Sequence, residues 1–189
     1  MISNTKERIL VIAGDLFARK GYTATTIADI ARALGTTTAA LYYHFPSKSE
    51  ILGALLAEPL AAYNRLVEDL DSSSATPEEL LGAFVDLTVA SRALGSVVDR
   101  DPSVLAKIDQ HLPRKSVQVT AQAIAVLAGP EPDRAAMIRA SAALSLIKGA
   151  TQAALADDGT GTPVCDEAPL CDSDRAEIIN AALRALSPT

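Results

Sequence analysis

Between Thr26 and Lys48 the chain places four threonines, two tyrosines, a histidine and a lysine. Thr36-Thr37-Thr38-Ala39 leads through Leu41 into Tyr42-Tyr43-His44-Phe45, and Lys48 follows three residues later. The whole protein holds no Trp, four Tyr and three Phe, so this cluster is not ordinary core filler. On a helix, Leu41 and Phe45 share one side, while Ala39 and Tyr43 lie opposite and Thr38 and Tyr42 flank them. A solvated face normally carries Lys, Glu and Gln. A face of a methyl group, hydroxyls and phenols instead suits close approach to a DNA major groove. Ala39 can touch a thymine methyl, Thr37 and Thr38 can reach base edges or phosphate, and the tyrosyl hydroxyls, His44 and Lys48 can reach phosphate oxygens. Each residue also has a plainer reading. Tyr42 can pack on the following helix, His44 can serve as a cap or core residue, Lys48 can be solvated, and one threonine, with Thr36 the candidate, can be a helix cap.

Reactive constellations are missing from the sequence. No His/Asp/Glu cluster has metal-ligand spacing at i, i+4, and no Gly-rich phosphate loop, nucleophile elbow or paired carboxylates occur. The expectation is therefore a protein that is not an enzyme and has no metal or cofactor. Cys165 and Cys171 stand six apart in a segment rich in Pro, Asp and Gly. That spacing fits no structural zinc site, and two unremarkable thiols on a loop are expected, with no redox role assigned.

The elements that must position the cluster are helical throughout, because apolar residues recur at three- and four-residue spacing and strand alternation is nowhere sustained. The first helix carries Ile9, Ile12, Ala13, Leu16 and Phe17 and stops at Gly21 after Arg19-Lys20. A short second helix has Thr26 and Asp29 spaced as a capping box and is closed by Gly35. The third helix, capped by Thr36 or Thr37, ends before Pro46. Two short helices around a Gly-containing turn form a helix-turn-helix. A long fourth helix is expected from about residue 48 to 70, a fifth after Pro77 with Leu80, Leu81, Phe84, Leu87 and Thr88 on its apolar face, a long helix over 133–155, a loop over 157–172 and a last helix over 174–186. Breaks are expected near Asp101-Pro102 and Leu112-Pro113. The fold class is all-α.

Net charge is −6, with 17 basic and 23 acidic residues. Residues 1–48 nevertheless hold six basic groups against three acidic ones, so a basic head joins an acidic body. That asymmetry offers one surface to phosphate and keeps the rest away from it. Although 49 % of residues are hydrophobic, the first apolar run ends at Asp15, and neither a membrane span nor a signal peptide is read at the start. A cytoplasmic location without a membrane partner is expected.

The segment GYTATTIADIARALGTTTAALYYHFPSKSEIL closely resembles the DNA-binding head of the TetR (tetracycline repressor) family of bacterial transcription regulators. The shared pattern is an aromatic after Gly, a Thr pair before the second helix, Gly and small polar residues, then Leu-Tyr-Tyr-His-Phe with a Lys shortly after. The resemblance implies a helix-turn-helix head over 1–48 and a helical ligand-binding and dimerisation body over 49–189. It implies that Thr26 meets phosphate at the start of the second helix, that Thr36, Thr37, Thr38 and Ala39 face the groove, and that Tyr42, Tyr43, His44 and Lys48 clamp the DNA backbone. Three Thr and two Ala stand where many relatives carry Lys, Arg or Gln, so sequence preference should lean on van der Waals contact and DNA shape.

In the body, Phe84 and Thr88 of the fifth helix, with Arg92, His111, Ser145 and Gln152 beside apolar segments, are candidates for lining an effector cavity. Ser91 and Lys148 belong to the same polar set. Leu144, Ile147, Ile179 and Leu183 are candidates for the dimer seam, formed by the last two helices of each copy as a four-helix interface. The expected function is a homodimeric repressor that leaves a palindromic double-stranded operator when a rather apolar small molecule binds. The alternative is a helical small-molecule-binding protein or adaptor whose head is vestigial.

Overall fold

The computed structural model describes residues 5–72, 75–155 and 170–188. Among these residues there are ten helices and no strand: α1 Thr5–Lys20, α2 Ile27–Leu34, α3 Thr38–His44, α4 Lys48–Asp71, α5 Pro77–Ala90, α6 Arg92–Arg100, α7 Ser103–Asp109, α8 Ser116–Ala128, α9 Arg134–Ala154 and α10 Asp172–Leu186. The expected breaks near residues 101 and 112 bound the short helices α6 and α7. The loop expected over 157–172 lies almost wholly outside the described residues. Cys171, at the N-cap of α10, is disulfide-bonded, which overturns the expectation of two free thiols. Cys165 lies outside the described residues.

The chain divides into two compact units, drawn differently from the expected 1–48 and 49–189. One comprises the chain up to Leu60 together with Ser91–His111, the other Ala61–Ala90 with the chain from Leu112 onward. In the first, Ile9, Ala13, Leu16 and Phe17 of α1 meet Ile30 of α2, Leu41 of α3, Ile51, Leu52 and Leu56 of α4, Leu94 and Val97 of α6 and Val104 of α7. Burial of a side chain such as Phe17 contributes roughly 1.5–3 kcal/mol. This core fixes the outward faces of α2 and α3, and it enlists α6 and α7, which sequence reading assigned to the body.

Local signals start and stop these helices. Thr26 caps α2: its hydroxyl accepts from the Asp29 amide at 3.1 Å, and the Asp29 carboxylate accepts the Thr26 amide at 3.0 Å. At the other end Gly35 has φ of +69°, a left-handed conformation that glycine adopts without a Cβ penalty. Its amide and that of Thr36 close onto Arg32 and Ala31 carbonyls, turning the chain sharply into α3.

Two carboxylates in this unit are held well below their usual range. Asp29 falls from 3.8 to about 2, chiefly because the Thr26 hydroxyl and amide donate to it, and Asp101 falls likewise because Ser103 and Thr23 donate to it. A carboxylate with a depressed folded pKa stabilises the fold above its unfolded pKa and loses that contribution as pH falls through the folded value. The first unit should therefore lose stability as pH drops from about 4 towards 2. Asp29→Asn should flatten that part of the profile, measured by thermal melts across pH.

The second unit is a helical layer in which α9 packs on α5, α8 and α10. Its core joins Tyr63, Leu66 and Leu70 of α4, Leu80, Leu81 and Val85 of α5, Val119 and Ala123 of α8, Ala143, Leu144 and Ile147 of α9, and Ile178, Ile179 and Ala182 of α10. The proposed seam residues Leu144, Ile147 and Ile179 are thus buried within their own chain, and Leu183 is partly buried against the same core. An apolar stripe at three- and four-residue spacing marks a core face without saying whose core it is. A polar clasp closes the end of α4: the Tyr63 hydroxyl donates to the Arg114 carbonyl at 2.5 Å, and the Arg114 guanidinium grips Asp71 at 2.8 and 3.1 Å. Gln122 accepts from Arg114 at 2.6 Å and donates to the Leu70 carbonyl at 3.2 Å.

Candidate nucleic-acid interface

The outward side of α3 follows from what its inward side buries. Leu41 is 1 % exposed and Phe45 7 %, and they anchor the helix to the first core. One helical step away Tyr42 is 50 % exposed, and opposite Leu41 Tyr43 is 87 % exposed, the most exposed large hydrophobic side chain in the described residues. A phenol left this open has no packing reason to be there. Thr36, Thr38, Ala39 and Ala40 are exposed beside it, so the face is small at the start of α3 and aromatic at its end. His44 is partly buried and sets its ring edge-on to Tyr43, with centroids 5.4 Å apart, which orients the phenol.

Three of the expected contacts are committed elsewhere. Thr37, not Thr36, is the N-cap of α3, its hydroxyl oxygen accepting from the Ala40 amide at 3.1 Å. Thr26 donates both its amide and its hydroxyl to the Asp29 carboxylate, at 3.0 and 2.8 Å, so neither donor is free for a phosphate. Lys48 does not reach outward at all. Its ammonium donates to the carbonyls of Tyr22 and Thr25 at 2.8 Å each and of Thr23 at 3.3 Å, which uses all three of its N–H bonds. Desolvation in that setting pushes its pKa down. The ammonium expected to clamp phosphate is thus directed at the loop before α2, and a phosphate contact would have to compete with these carbonyls.

Thr37→Ala should cost about 1 kcal/mol of stability in the first unit, the usual loss when a capping oxygen is removed. Thr36→Ala should leave stability unchanged, since the exposed Thr36 side chain holds no cap. Denaturant titration of the two variants separates them.

Around the face the basic groups divide. Arg19 pairs with Asp15, and Arg32 lies 3.1 Å from Asp29, with Lys20 3.7 Å from the same carboxylate. The groups sequence reading missed are those that hold the loop before α2. Thr25 is fully buried and donates its hydroxyl to the Gly21 carbonyl at 2.8 Å. Asp101, between α6 and α7, accepts the Thr23 amide at 2.7 Å. The Thr pair before the second helix signals Thr25, but nothing near residue 101 in the sequence points back to Thr23.

The effector candidates divide between the two units. Arg92 and His111 belong to the first unit and are exposed, the His111 ring Nδ1 lying 2.7 Å from the Lys107 carbonyl. Phe84, Thr88, Ser145 and Gln152 belong to the second, where Phe84 and Thr88 are partly buried and Ser145 and Gln152 are exposed. The Thr88 hydroxyl donates to the Phe84 carbonyl at 2.8 Å and that of Ser145 to the Ser141 carbonyl at 2.9 Å, each satisfied within its own helix. The second unit instead has a cleft of about 430 Å³ lined by Ala62, Arg65, Asp69, Ser72, Ala75, Glu79, Ala83, Asp86 and Arg175. Arg175 spans its edge, donating to both oxygens of Asp86 at 3.0 and 3.1 Å. Five of these nine lining residues are charged. Among the described residues no group of three or more His, Cys, Asp and Glu is arranged to hold a metal ion, and no single helix is long and apolar enough to cross a membrane.

Residues 9–55 match the family model described as bacterial regulatory proteins, tetR family. The chain is 37 % identical over 95 residues to the HTH-type transcriptional repressor KstR2 of Rhodococcus jostii, an alignment covering 48 % of this chain and 47 % of that one. It is 32 % identical over 94 residues to the HTH-type transcriptional regulator TtgR of Pseudomonas putida, covering 47 % and 45 %. The chain thus spans less than half the length of the curated relatives it matches. Among solved structures, the ketosteroid transcriptional regulator KstR2 of Mycobacterium tuberculosis superimposes with a TM-score of 0.57 at 21 % identity, over 98 % of this chain and 95 % of that one. NalD, the secondary repressor of the MexAB-OprM multidrug efflux pump in Pseudomonas aeruginosa, superimposes with a TM-score of 0.56 at 23 % identity, over 96 % of each chain. At those identities the likeness is one of fold.

Proposed function

We propose that this chain, which belongs to the TetR family of bacterial regulatory proteins, is a DNA-binding transcriptional repressor that works as a homodimer and is released from its operator by a small molecule. The observation that carries the reading is the exposure of Tyr42 and Tyr43 on a helix whose other side, Leu41 and Phe45, is buried. With Thr36, Thr38 and Ala39 they form a neutral, close-fitting face, and the tyrosyl hydroxyls reach phosphate at its margin. Thr26, Thr37 and Lys48 serve the head by holding its geometry.

One helix-turn-helix reads too few base pairs, so two copies must present their heads about 34 Å apart on a palindrome. The buried stripes of α9 and α10 are spent within the chain, which leaves the opposite side of α9 for the partner. Ile138, Ser141, Ala142, Ser145, Gly149 and Gln152 recur there at three- and four-residue spacing and are all exposed. Small residues along a helix permit close isologous approach about a two-fold axis. Ser145 and Gln152 then belong to the seam rather than to an effector cavity. An effector must favour the non-binding state by roughly 5 kcal/mol to take the operator from nearly full to nearly empty. A cytoplasmic site of action follows from this reading.

Selection from a random duplex library by the purified protein, with the enriched sites titrated across salt, tests the reading. A shared palindrome whose affinity falls steeply with salt is the expected result. Enrichment of no sequence, with no salt-dependent binding, would overturn it.

A further inference from the structure

The loop between α1 and α2 is short, and an unusual share of its backbone is held by side chains from far along the sequence. Lys48, at the start of α4, donates to three of its carbonyls, those of Tyr22, Thr23 and Thr25. Its ammonium also lies 4.4 Å from the centre of the Tyr22 ring, a cation–π distance. From the other side Asp101 accepts the Thr23 amide at 2.7 Å, and Asp101 is itself fixed by Ser103, whose hydroxyl donates at 2.5 Å and amide at 3.2 Å. Lys107 of α7 lies 5.7 Å from the same Tyr22 ring. Tyr22 is 7 % exposed and meets Phe17 edge-on at 5.1 Å. The next residue after this loop is Thr26, the cap that starts α2, so the loop's placement sets where α2 begins and, through the tight turn at Gly35, how α3 is presented.

We propose that Lys48 and Asp101 are positioning residues for DNA binding: they latch the Tyr22–Thr25 loop, and so hold α2 and α3 in register with the groove, without touching DNA. This rests on the reading of α3 as the groove-facing element. Two consequences separate it from a direct electrostatic role. A lysine on a phosphate contributes about one ion to the salt dependence of binding, and removing it flattens the slope of log K against log salt by about 0.9. A lysine whose three donors are taken by carbonyls makes no direct phosphate contact, so its removal should leave that slope close to the wild-type value. Asp101 gives the opposite sign test. Neutralising an acidic group on a DNA-binding head strengthens binding if simple repulsion governs, and weakens it if the group holds the loop.

The experiment uses the full-length protein and a selected duplex, with affinity measured by fluorescence anisotropy at several salt concentrations. The variants are Lys48→Met, Lys48→Arg and Asp101→Asn. Lys48→Met keeps the aliphatic stem and loses the donors. Each charged hydrogen bond it removes is worth enough to predict a loss of about tenfold at fixed salt. The salt slope should stay that of the wild type. Lys48→Arg should not restore affinity, because a planar guanidinium cannot aim at three converging carbonyls as an ammonium does. Asp101→Asn should weaken binding, again with an unchanged slope. A flatter slope for Lys48→Met, with affinity kept by Lys48→Arg, would show a phosphate contact and overturn the proposal, as would tighter or unchanged binding by Asp101→Asn. If Lys48→Met does not melt cooperatively, Asp101→Asn decides alone, by the sign of its effect. Failure of the wild-type protein to bind any duplex is a separate outcome: it removes the premise that α3 reads DNA.

Discussion

Ala39→Glu is expected to abolish operator binding while leaving the head as stable as before, or slightly more so. Ala39 is the second residue of α3 and exposed, so a larger side chain there meets only solvent in the free protein. A carboxylate in the first turn of a helix is favoured by the helix dipole, by about 0.3–1 kcal/mol. Against DNA the same charge faces phosphate and base acceptors in a groove that has excluded water, where like-charge contact costs several kcal/mol. A loss of 100-fold or more in affinity is the order expected from about 3 kcal/mol. Stability and function thus move in opposite directions, which a general folding defect cannot mimic. Thermal melting together with a binding titration reads both. A variant that binds as tightly as wild type would place the groove-facing residues elsewhere.

The second large effect is expected at α9. Ala142→Arg should convert a dimer to a monomer, since Ala142 lies midway along the exposed stripe from Ile138 to Gln152 and a two-fold axis would bring two new guanidinium groups together at the seam. Two linked heads bind a palindrome more tightly than one by about 10²–10⁴, so affinity for the full site should fall by that factor. Affinity for a half-site should be unchanged. Sedimentation velocity and titration of whole and half sites check both. The exposed position matters to the design: a charge at Leu183 would enter the chain's own core and confuse misfolding with dissociation. A variant that remains dimeric would move the seam off this face.

How much of this was legible in the sequence depended on the range of the interactions involved. The head was readable because its signals are local. Thr26 and Asp29 are three apart, Gly35 ends α2 by its own backbone freedom, and Pro46 stops α3 at once. The exposure of Tyr43 opposite Leu41 follows from helical periodicity alone. A one-residue error in the cap, Thr36 for Thr37, arose because both hydroxyls stand near enough to the start of α3, and only backbone geometry decides between them. The carbonyl partners of Lys48 were hidden because they lie 23 to 26 residues away. The place of α6 and α7 in the first unit was hidden further, since the Asp101–Thr23 bond spans 78 residues. In the body, Leu144, Ile147 and Ile179 were correctly seen as apolar faces, but periodicity cannot distinguish a face that meets its own chain from one that meets a partner. Spacing also does not reveal that Thr88 and Ser145 donate their hydroxyls one turn back along their own helices.

The separation of duties on α3 has an evolutionary corollary. Leu41 and Phe45 hold the helix, Thr37 starts it, and among the described residues none of Thr36, Thr38, Ala39, Tyr42 or Tyr43 makes a side-chain hydrogen bond or ion pair that the fold depends on. Substitutions at the exposed Thr36, Thr38 and Ala39 are therefore nearly free of a folding penalty, and selection on them acts chiefly through the operator. A duplicated copy of this gene could drift to a new operator by single exchanges, each intermediate remaining a well-folded protein.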